Sequence, residues 1–395
     1  MKIPQGYKQT EFGIIPEDWE IMRLKDIGNF SKGCGISRLE ANSGHIPCVR
    51  YGEIYTSHDI YIKKFYSFIS EDIAKRSKRI KKGDILFTAS GETKEEIGKC
   101  VAFVSECEAY AGGDIIILTP KSKFDSKYLG FILNTSELAK QKASKGQGDA
   151  VVHITTESLS ELIVPIPSRI DEQQKIAEAL SDVDKLIAAL GKKIAKKKLI
   201  KQAAMQQLLT GKKRLQGFSE EWEEYALFEL LSYEQPTKYL VSSTEYVENG
   251  TPVLTAGKTF ILGYTNEENG IYKFVPVIIF DDFTTDSKYV DMPFKAKSSA
   301  MKILQLTDKR YSLRLIYEAM QLLKFTPYDH QRYWISEYSQ LKIKLPTSFA
   351  EQQAISKILS DMDEEILDLE RKRDKHQLLK NGMMQKLLTG QIRIK

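Results

Sequence analysis

The sequence predicts an α+β protein: two α/β domains alternating with two long α-helices that pack as an antiparallel coiled coil, with pseudo-twofold symmetry. Three observations predict it. Residues 172–184 read EQQKIAEALSDVD and residues 351–363 read EQQAISKILSDMD, while MQQLLTGKKR at 205–214 returns as MQKLLTGQIR at 384–393. Both echoes have one offset, 179 residues, so the intervening stretch was duplicated as a unit. Second, each copy opens a run of apolar residues at coiled-coil spacing. Third, the segments ahead of these runs hold short β-type apolar stretches bounded by Gly, Pro, Asn and Asp.

The first domain is placed at 1–167. Its strand candidates include AFV at 102–104 and DIIIL at 114–118. The first spacer follows at 168–213. There Ile176, Leu180, Val183, Ile187, Leu190 and Ile194 step by four and three, the seam of a coiled coil. Pro165 and Pro167 precede it, and Gly211 closes it behind Leu-Leu-Thr. The second domain, 214–346, is a diverged copy of the first. Glu17-Asp18-Trp19-Glu20 answers Glu220-Glu221-Trp222-Glu223, Ile85-Leu86-Phe87 answers Ile278-Ile279-Phe280, and Thr119-Pro120-Lys121 is aligned with Thr307-Asp308-Lys309.

The second spacer, 347–395, begins after Pro346 and stops at Gly390. Its seam is Ile355, Leu359, Met362, Ile366 and Leu369, then breaks at Arg373 and His376. Both seams are expected to resume in shifted phase, at Leu199-Ile200 and Leu378-Leu379. Each helix should run about 40 residues, or roughly 60 Å. A lone helix with so narrow an apolar stripe does not stay folded in water, so the two are expected to bury each other.

Composition excludes several function classes. The 395 residues are 42% hydrophobic and 28% charged with a net charge of +5, which suits a globular chain of more than one domain. No apolar run reaches 18 residues and the start carries no hydrophobic leader, so a cytoplasmic location is expected. Cys34, Cys48, Cys100 and Cys107 show no CxxC spacing and read as reduced structural thiols. The five His are scattered, and no metal site is expected. No GxxxxGK[ST] loop appears, nor an Asn/Asp-Pro-Pro-aromatic tetrapeptide. A catalytic site in this chain is not expected, and no cofactor.

What remains is charge and loop chemistry. Nine Lys or Arg and no acid fall between Lys192 and Arg214. They form either a solvated helix face or a surface near phosphate. Polar loops with Gly, Arg, Lys, Thr and aromatics recur in both domains. Such groups supply donors for phosphates and base edges. Candidate DNA contacts in the first domain are Lys32, Arg38, Arg50, Tyr51, Thr88, Ser90 and Lys94. In the second they are Thr255, Lys258, Thr284, Thr285, Lys288 and Arg332. Paired domains of one fold with different loops suit a split DNA site, because one duplex turn is about 34–36 Å and the helices are longer. Two other readings stay open: a coiled-coil scaffold that binds only proteins, and a recognition protein with a fused nuclease or methylase.

The order of variable domain and repeated helix, with EQQ-x-I-x-x-x-L-S-D-x-D near each helix start and LLTG near each end, resembles the specificity subunit of type I restriction-modification systems. IPEDWE, TGKKRLQGFSEEWEEY, IPCVRYGEIYT and ILFTASGETKEEIGK are also similar to that family. The resemblance covers essentially the whole chain. It implies that each domain is a target recognition domain for one half of an asymmetric bipartite DNA site. The spacers would set the gap and dock two modification (methyltransferase) subunits, and restriction (translocase/nuclease) subunits would join. S-adenosylmethionine, ATP and Mg would be bound by those partners. The seam would leave the outer helix faces, with Gln173, Gln174, Gln352 and Gln353, free for the partner.

Overall fold

The structure, a computed structural model, describes residues 3–148, 150–257, 259–328 and 331–394. The chain divides into two compact units, Met1–Ala189 with Arg373–Lys395, and Leu190–Lys372. Two helices of 39 residues, Ile170–Leu208 and Phe349–Leu387, contribute to both, each about 58 Å long.

In the first unit an antiparallel sheet runs in the order Cys100–Ala102, Ile85–Thr88, Ile115–Pro120, Gly28–Lys32. A second sheet orders Ser67–Ile69, Ile46–Val49, Ala109–Ala111, Lys78–Ile80, its two middle strands parallel. The apolar runs ILF and IIIL, of β-branched and aromatic character, supply residues that are buried on both faces. Strand Trp19–Arg23 pairs antiparallel with Ile163–Pro167, which leads into the first long helix.

The second unit repeats this plan. Its larger sheet orders Leu231–Glu234, Met301–Leu306, Val277–Asp281, Ser287–Val290. Its smaller sheet orders Ile261–Thr265, Thr251–Leu254, Lys295–Ala296. Strand Trp222–Ala226 pairs with Lys342–Pro346 ahead of the second long helix. Register proves the kinship: Trp19 faces Pro167 as Trp222 faces Pro346, and Leu86 faces Ile117 as Ile279 faces Ile303. It also corrects one alignment. Thr119 faces Asn29 as Gln305 faces Ser232, so the equivalent of Thr119 is Gln305, two residues before Thr307.

The long helices pack antiparallel within each unit. In the first, Ile176 and Leu180 join Leu387, Leu388 and the domain core. In the second, Ile355 and Leu359 join Met205, Leu208 and Leu209, with Met362 against them. Leu190 and Ile194 meet Ile366 and Leu369, and Val183 and Ile187 are half-buried. The opening seam residues thus serve two masters, the partner helix and the domain in front.

The expected phase shift does not occur. Leu199, Ile200, Leu378 and Leu379 are exposed, Leu199 at 66% and Leu378 at 72%. The seam keeps its phase and turns polar instead, through Lys197 and Lys201 on one helix and Arg373, His376 and Lys380 on the other. Buried Lys380 binds buried Asp184 at 2.7 Å, and Lys201 binds Asp363 at 2.7 Å and Glu318 at 3.0 Å. Charged pairs fill the places where apolar residues were looked for. Each helix ends on a glycine with φ +70°, Gly211 and Gly390. A Cβ at Gly390 would lie 2.4 Å from the Pro16 ring, so both backbone twist and close approach demand glycine there.

Candidate nucleic-acid interface

The two acids and amides that open each spacer have distinct jobs. Glu172 accepts two hydrogen bonds from the Arg393 guanidinium, at 2.6 and 2.7 Å, and Arg393 also grips Asp18 at 2.8 Å. Glu351 accepts the same pair from Arg214, both at 2.7 Å. These are planar two-pronged contacts, the strong form of the carboxylate–guanidinium bond. Gln173 and Gln352 are not on an outer face: each is only 1% exposed and turned into its domain. The next residues, Gln174 and Gln353, are exposed. The helix turns about 100° per residue, so the first Gln faces the domain and the second faces away.

In the first domain Arg50 and Tyr51 open the short helix Tyr51–Thr56. Glu53 anchors them, accepting from the Arg50 backbone N–H at 3.3 Å and lying 3.5 Å from its Nε. Ser67 donates to Glu53 from the neighbouring strand. This leaves the guanidinium tip half-exposed beside exposed Tyr51. Lys32, Arg38 and Lys94 are exposed, and none has an ion-pair partner among the described residues. All three are free to meet phosphate. Tyr51 and Ser90 line one cavity of about 910 Å³ with Glu92, Glu95 and Glu96, the residues around Lys94.

Two first-domain candidates are corrected. Thr88 is fully buried, its Oγ1 bonded to the Tyr55 hydroxyl at 2.7 Å. Ser90 is buried too, with Oγ 3.0 Å from His153 Nδ1. Burial pushes the Tyr55 hydroxyl up, against the Thr88 hydrogen bond, so it stays protonated. Thr88, Ser90 and Tyr55 hold the 89–98 segment to the short helix; Thr88 is sealed from solvent, and Tyr55 is half-buried against it.

In the second domain Asp281 builds a tight turn. Its Oδ1 accepts from the N–H of Phe283 and of Thr284, both at 2.9 Å, and its carbonyl accepts from Thr285. Thr285 has φ +61°, and Thr284 is exposed at the tip. The next residue, Asp282, is buried and paired with buried Lys302 at 3.0 Å. It accepts the N–H of Trp334 at 2.8 Å and, through its carbonyl, that of Tyr333. Asp282 therefore ties the start of helix Tyr333–Ser336, with exposed Arg332 just ahead of it, to the segment that carries the Thr284–Thr285 tip. Lys288 and Thr255 are half-buried on separate strand ends. Lys258 lies outside the described residues.

The helical part of the basic run, 192–201, resolves into two sets. Lys197, Lys198 and Lys201 bind Glu365, Glu370 and Asp363 at 2.6–2.7 Å. Those charges are spent between helices, whereas Lys192, Lys193 and Lys196 stay exposed. Among the described residues no group of three or more His, Cys, Asp or Glu is placed to hold a metal, and no helix is long and apolar enough to cross a membrane.

Sequence reasoning missed the charged pairs that bind the repeats. A signal existed: Glu172 and Glu351, Asp184 and Asp363, Lys201 and Lys380, Arg214 and Arg393 all recur at the 179-residue offset. Acid and base recurring together on a duplicated seam mark partners.

Two like units carrying unlike loops on one repeated helical frame define a DNA specificity subunit of a type I restriction-modification system. The chain belongs to the family described as "Type I restriction modification DNA specificity domain", whose pattern matches residues 16–199 and again 219–380. A specificity subunit is not itself catalytic. It is similar to the EcoR124I/EcoR124II specificity subunit of Escherichia coli, 52% identical over 159 residues, which are 37% of this chain and 39% of that protein. A putative type I restriction enzyme MjaX specificity subunit of Methanocaldococcus jannaschii is 28% identical over 99% of this chain and 97% of its own. The crystal structure of a type I restriction-modification S subunit from M. genitalium shares the fold, with TM-score 0.69, 16% identity and 98% of each chain covered. A chain from a study of complex assembly and conformational transition in the type I system does so at TM-score 0.55 and 13% identity, over 96% of this chain and 99% of that one.

Proposed function

We propose that residues 1–167 and 214–346 are two target recognition domains, each reading one half of an asymmetric bipartite DNA site. Residues 168–213 and 347–395 are the spacers that set the gap. One observation carries this reading: the frame around each domain repeats its strand register and its clasping ion pairs, while the tips of the domains differ. Arg50, Tyr51, Lys94, Lys32 and Arg38 on the first domain, and Arg332, Thr284, Thr285 and Lys288 on the second, are the contacts. Arginine beside an exposed turn suits a base edge, and the free lysines suit phosphates.

The spacers dock two modification (methyltransferase) subunits, and restriction subunits join the assembly. S-adenosylmethionine, ATP and Mg belong to those partners. Support comes from the exposed outer residues that recur at one offset: Gln174 with Gln353, Leu199-Ile200 with Leu378-Leu379. Two copies of one surface fit two copies of one partner.

The test is methylation of genomic DNA by this chain with its modification partner, followed by mapping of modified adenines. A single asymmetric split sequence of constant gap is expected. Modification without sequence preference, with or without the partner, would leave only the scaffold reading, and turnover by the chain alone would favour a fused enzyme.

A further inference from the structure

Gln173 and Gln352 occupy the same helix position in the two repeats and make the same pair of bonds. Gln173 Nε2 donates to the Pro167 carbonyl at 3.0 Å, and its Oε1 accepts the Asp125 N–H at 2.9 Å. Gln352 Nε2 donates to the Pro346 carbonyl at 2.8 Å, and its Oε1 accepts the Ser312 N–H at 2.8 Å. Pro167 and Pro346 end the strands that lead into the long helices. Asp125 and Ser312 are the N-caps of Ser126–Ile132 and Leu313–Met320, the domain helices that face the spacer. One amide thus ties three things: the strand end, the spacer and the first turn of a domain helix.

Packing alone does not require a glutamine here. A Met would fill the same volume, but apolar contact is non-directional and lets surfaces slide. Two hydrogen bonds at opposite ends of a planar amide fix a rotation as well as a distance. Both partners are backbone atoms, so the bonds survive any change of side chain in the domain; Asp125 and Ser312 differ in sequence yet present the same N–H. Such a device is suited to seating interchangeable domains at one angle.

We infer that Gln173 and Gln352 are positioning residues that set the angle of each recognition domain on its spacer, and through it how sharply the chain measures the gap between half-sites. The inference rests on the split-site reading above.

The full chain with its modification partner is assayed on duplexes that keep both half-sites and vary the gap by one base pair either way. For Gln352→Met the methylation rate at the native gap is expected to hold within about two-fold, while discrimination against the wrong gap falls about five-fold, the effect of one directional hydrogen bond. Discrimination against half-site mismatches stays at the wild-type level. Ser356→Ala, which removes the 2.9 Å hydroxyl contact to Ser312 but keeps the amide bonds, is the control and leaves gap preference unchanged. Gln173→Met reports the same quantity from the other domain and decides the matter if Gln352→Met does not fold. Wild-type gap discrimination in a folded variant, or equal loss of gap and half-site discrimination, overturns the inference. A wild-type protein with no split-site preference overturns the functional reading beneath it.

Discussion

Replacing Lys380 by Met isolates the energetics of the polar seam. Lys380 and Asp184 are each only 8% exposed and 2.7 Å apart, and Asp184 Oδ2 has no hydrogen-bond partner among the described residues. Met keeps the stem and removes the charge, which strands a carboxylate between the helices. Breaking a buried pair in this way costs about 3–5 kcal/mol. The slight exposure of both side chains places the value at the low end of that range, about 3 kcal/mol, and the exposed Asp59 contact at 3.7 Å adds less than about 0.5 kcal/mol. For a unit of roughly 200 residues each kcal/mol moves the midpoint by about 2–4 °C, so Lys380→Met should melt about 6–12 °C below wild type. The double variant Lys380→Met with Asp184→Leu removes both charges and should return to within about 1 kcal/mol of wild type. Differential scanning calorimetry on the two singles and the double completes the cycle. A shift under about 2 °C for the single, or a double no better than the sum, refutes the reasoning.

Arg332→Ala should weaken binding by about 1–3 kcal/mol and relax one position of the second half-site, whereas Lys94→Ala should weaken binding evenly across sequences and flatten its salt dependence; competition titrations against single-substitution duplexes separate the two. Leu378→Ser with Leu379→Ser should leave the melting midpoint within about 1 °C but lower capture of the modification subunit in a pull-down, since these leucines face solvent in the free chain. The Glu267 carboxyl is held down to about 2 by the Lys295 ammonium and by the backbone N–H groups of Ser243 and Ser242. Its contribution is therefore complete above the unfolded-state value of about 4.3 and is lost as pH falls through about 2, so acid titration should loosen the 242–269 region in that window, and Glu267→Gln should remove the dependence.

The duplication, the two long helices and the glycine stops were legible in sequence because they follow periodicity and repetition. The frame's polar logic was only half legible. Arg373 and His376 read as breaks in an apolar seam, and the Lys201–Asp363 and Lys380–Asp184 pairs that continue it leave no mark in a pattern of hydrophobic spacing. Leu199-Ile200 looked like a resumed seam for the same reason. The apolar seam puts Gln173 on the outer helix face; its burial depends on two backbone atoms, at Pro167 and Asp125, that no side-chain pattern reveals. Thr88 ends a strand and Ser90 begins the next, in a stretch whose composition suits ligand contact, but a tyrosine from another element caps one and a histidine the other. Arg332 is exposed just ahead of a short helix whose first two N–H groups are held by Asp282, a long-range tie that no local pattern reveals.

Each acid of the clasp and seam finds its base in the opposite repeat: Glu172 with Arg393, Glu351 with Arg214, Asp184 with Lys380, Asp363 with Lys201. Reciprocal pairing of this kind is what two identical polypeptides make when they associate face to face. A single repeat already carries both halves of every bond, which it satisfies only by lending one half and borrowing the other. The duplicated chain thus holds within itself the reciprocal grip of a twofold dimer, and the loops of the two domains can differ without loosening it.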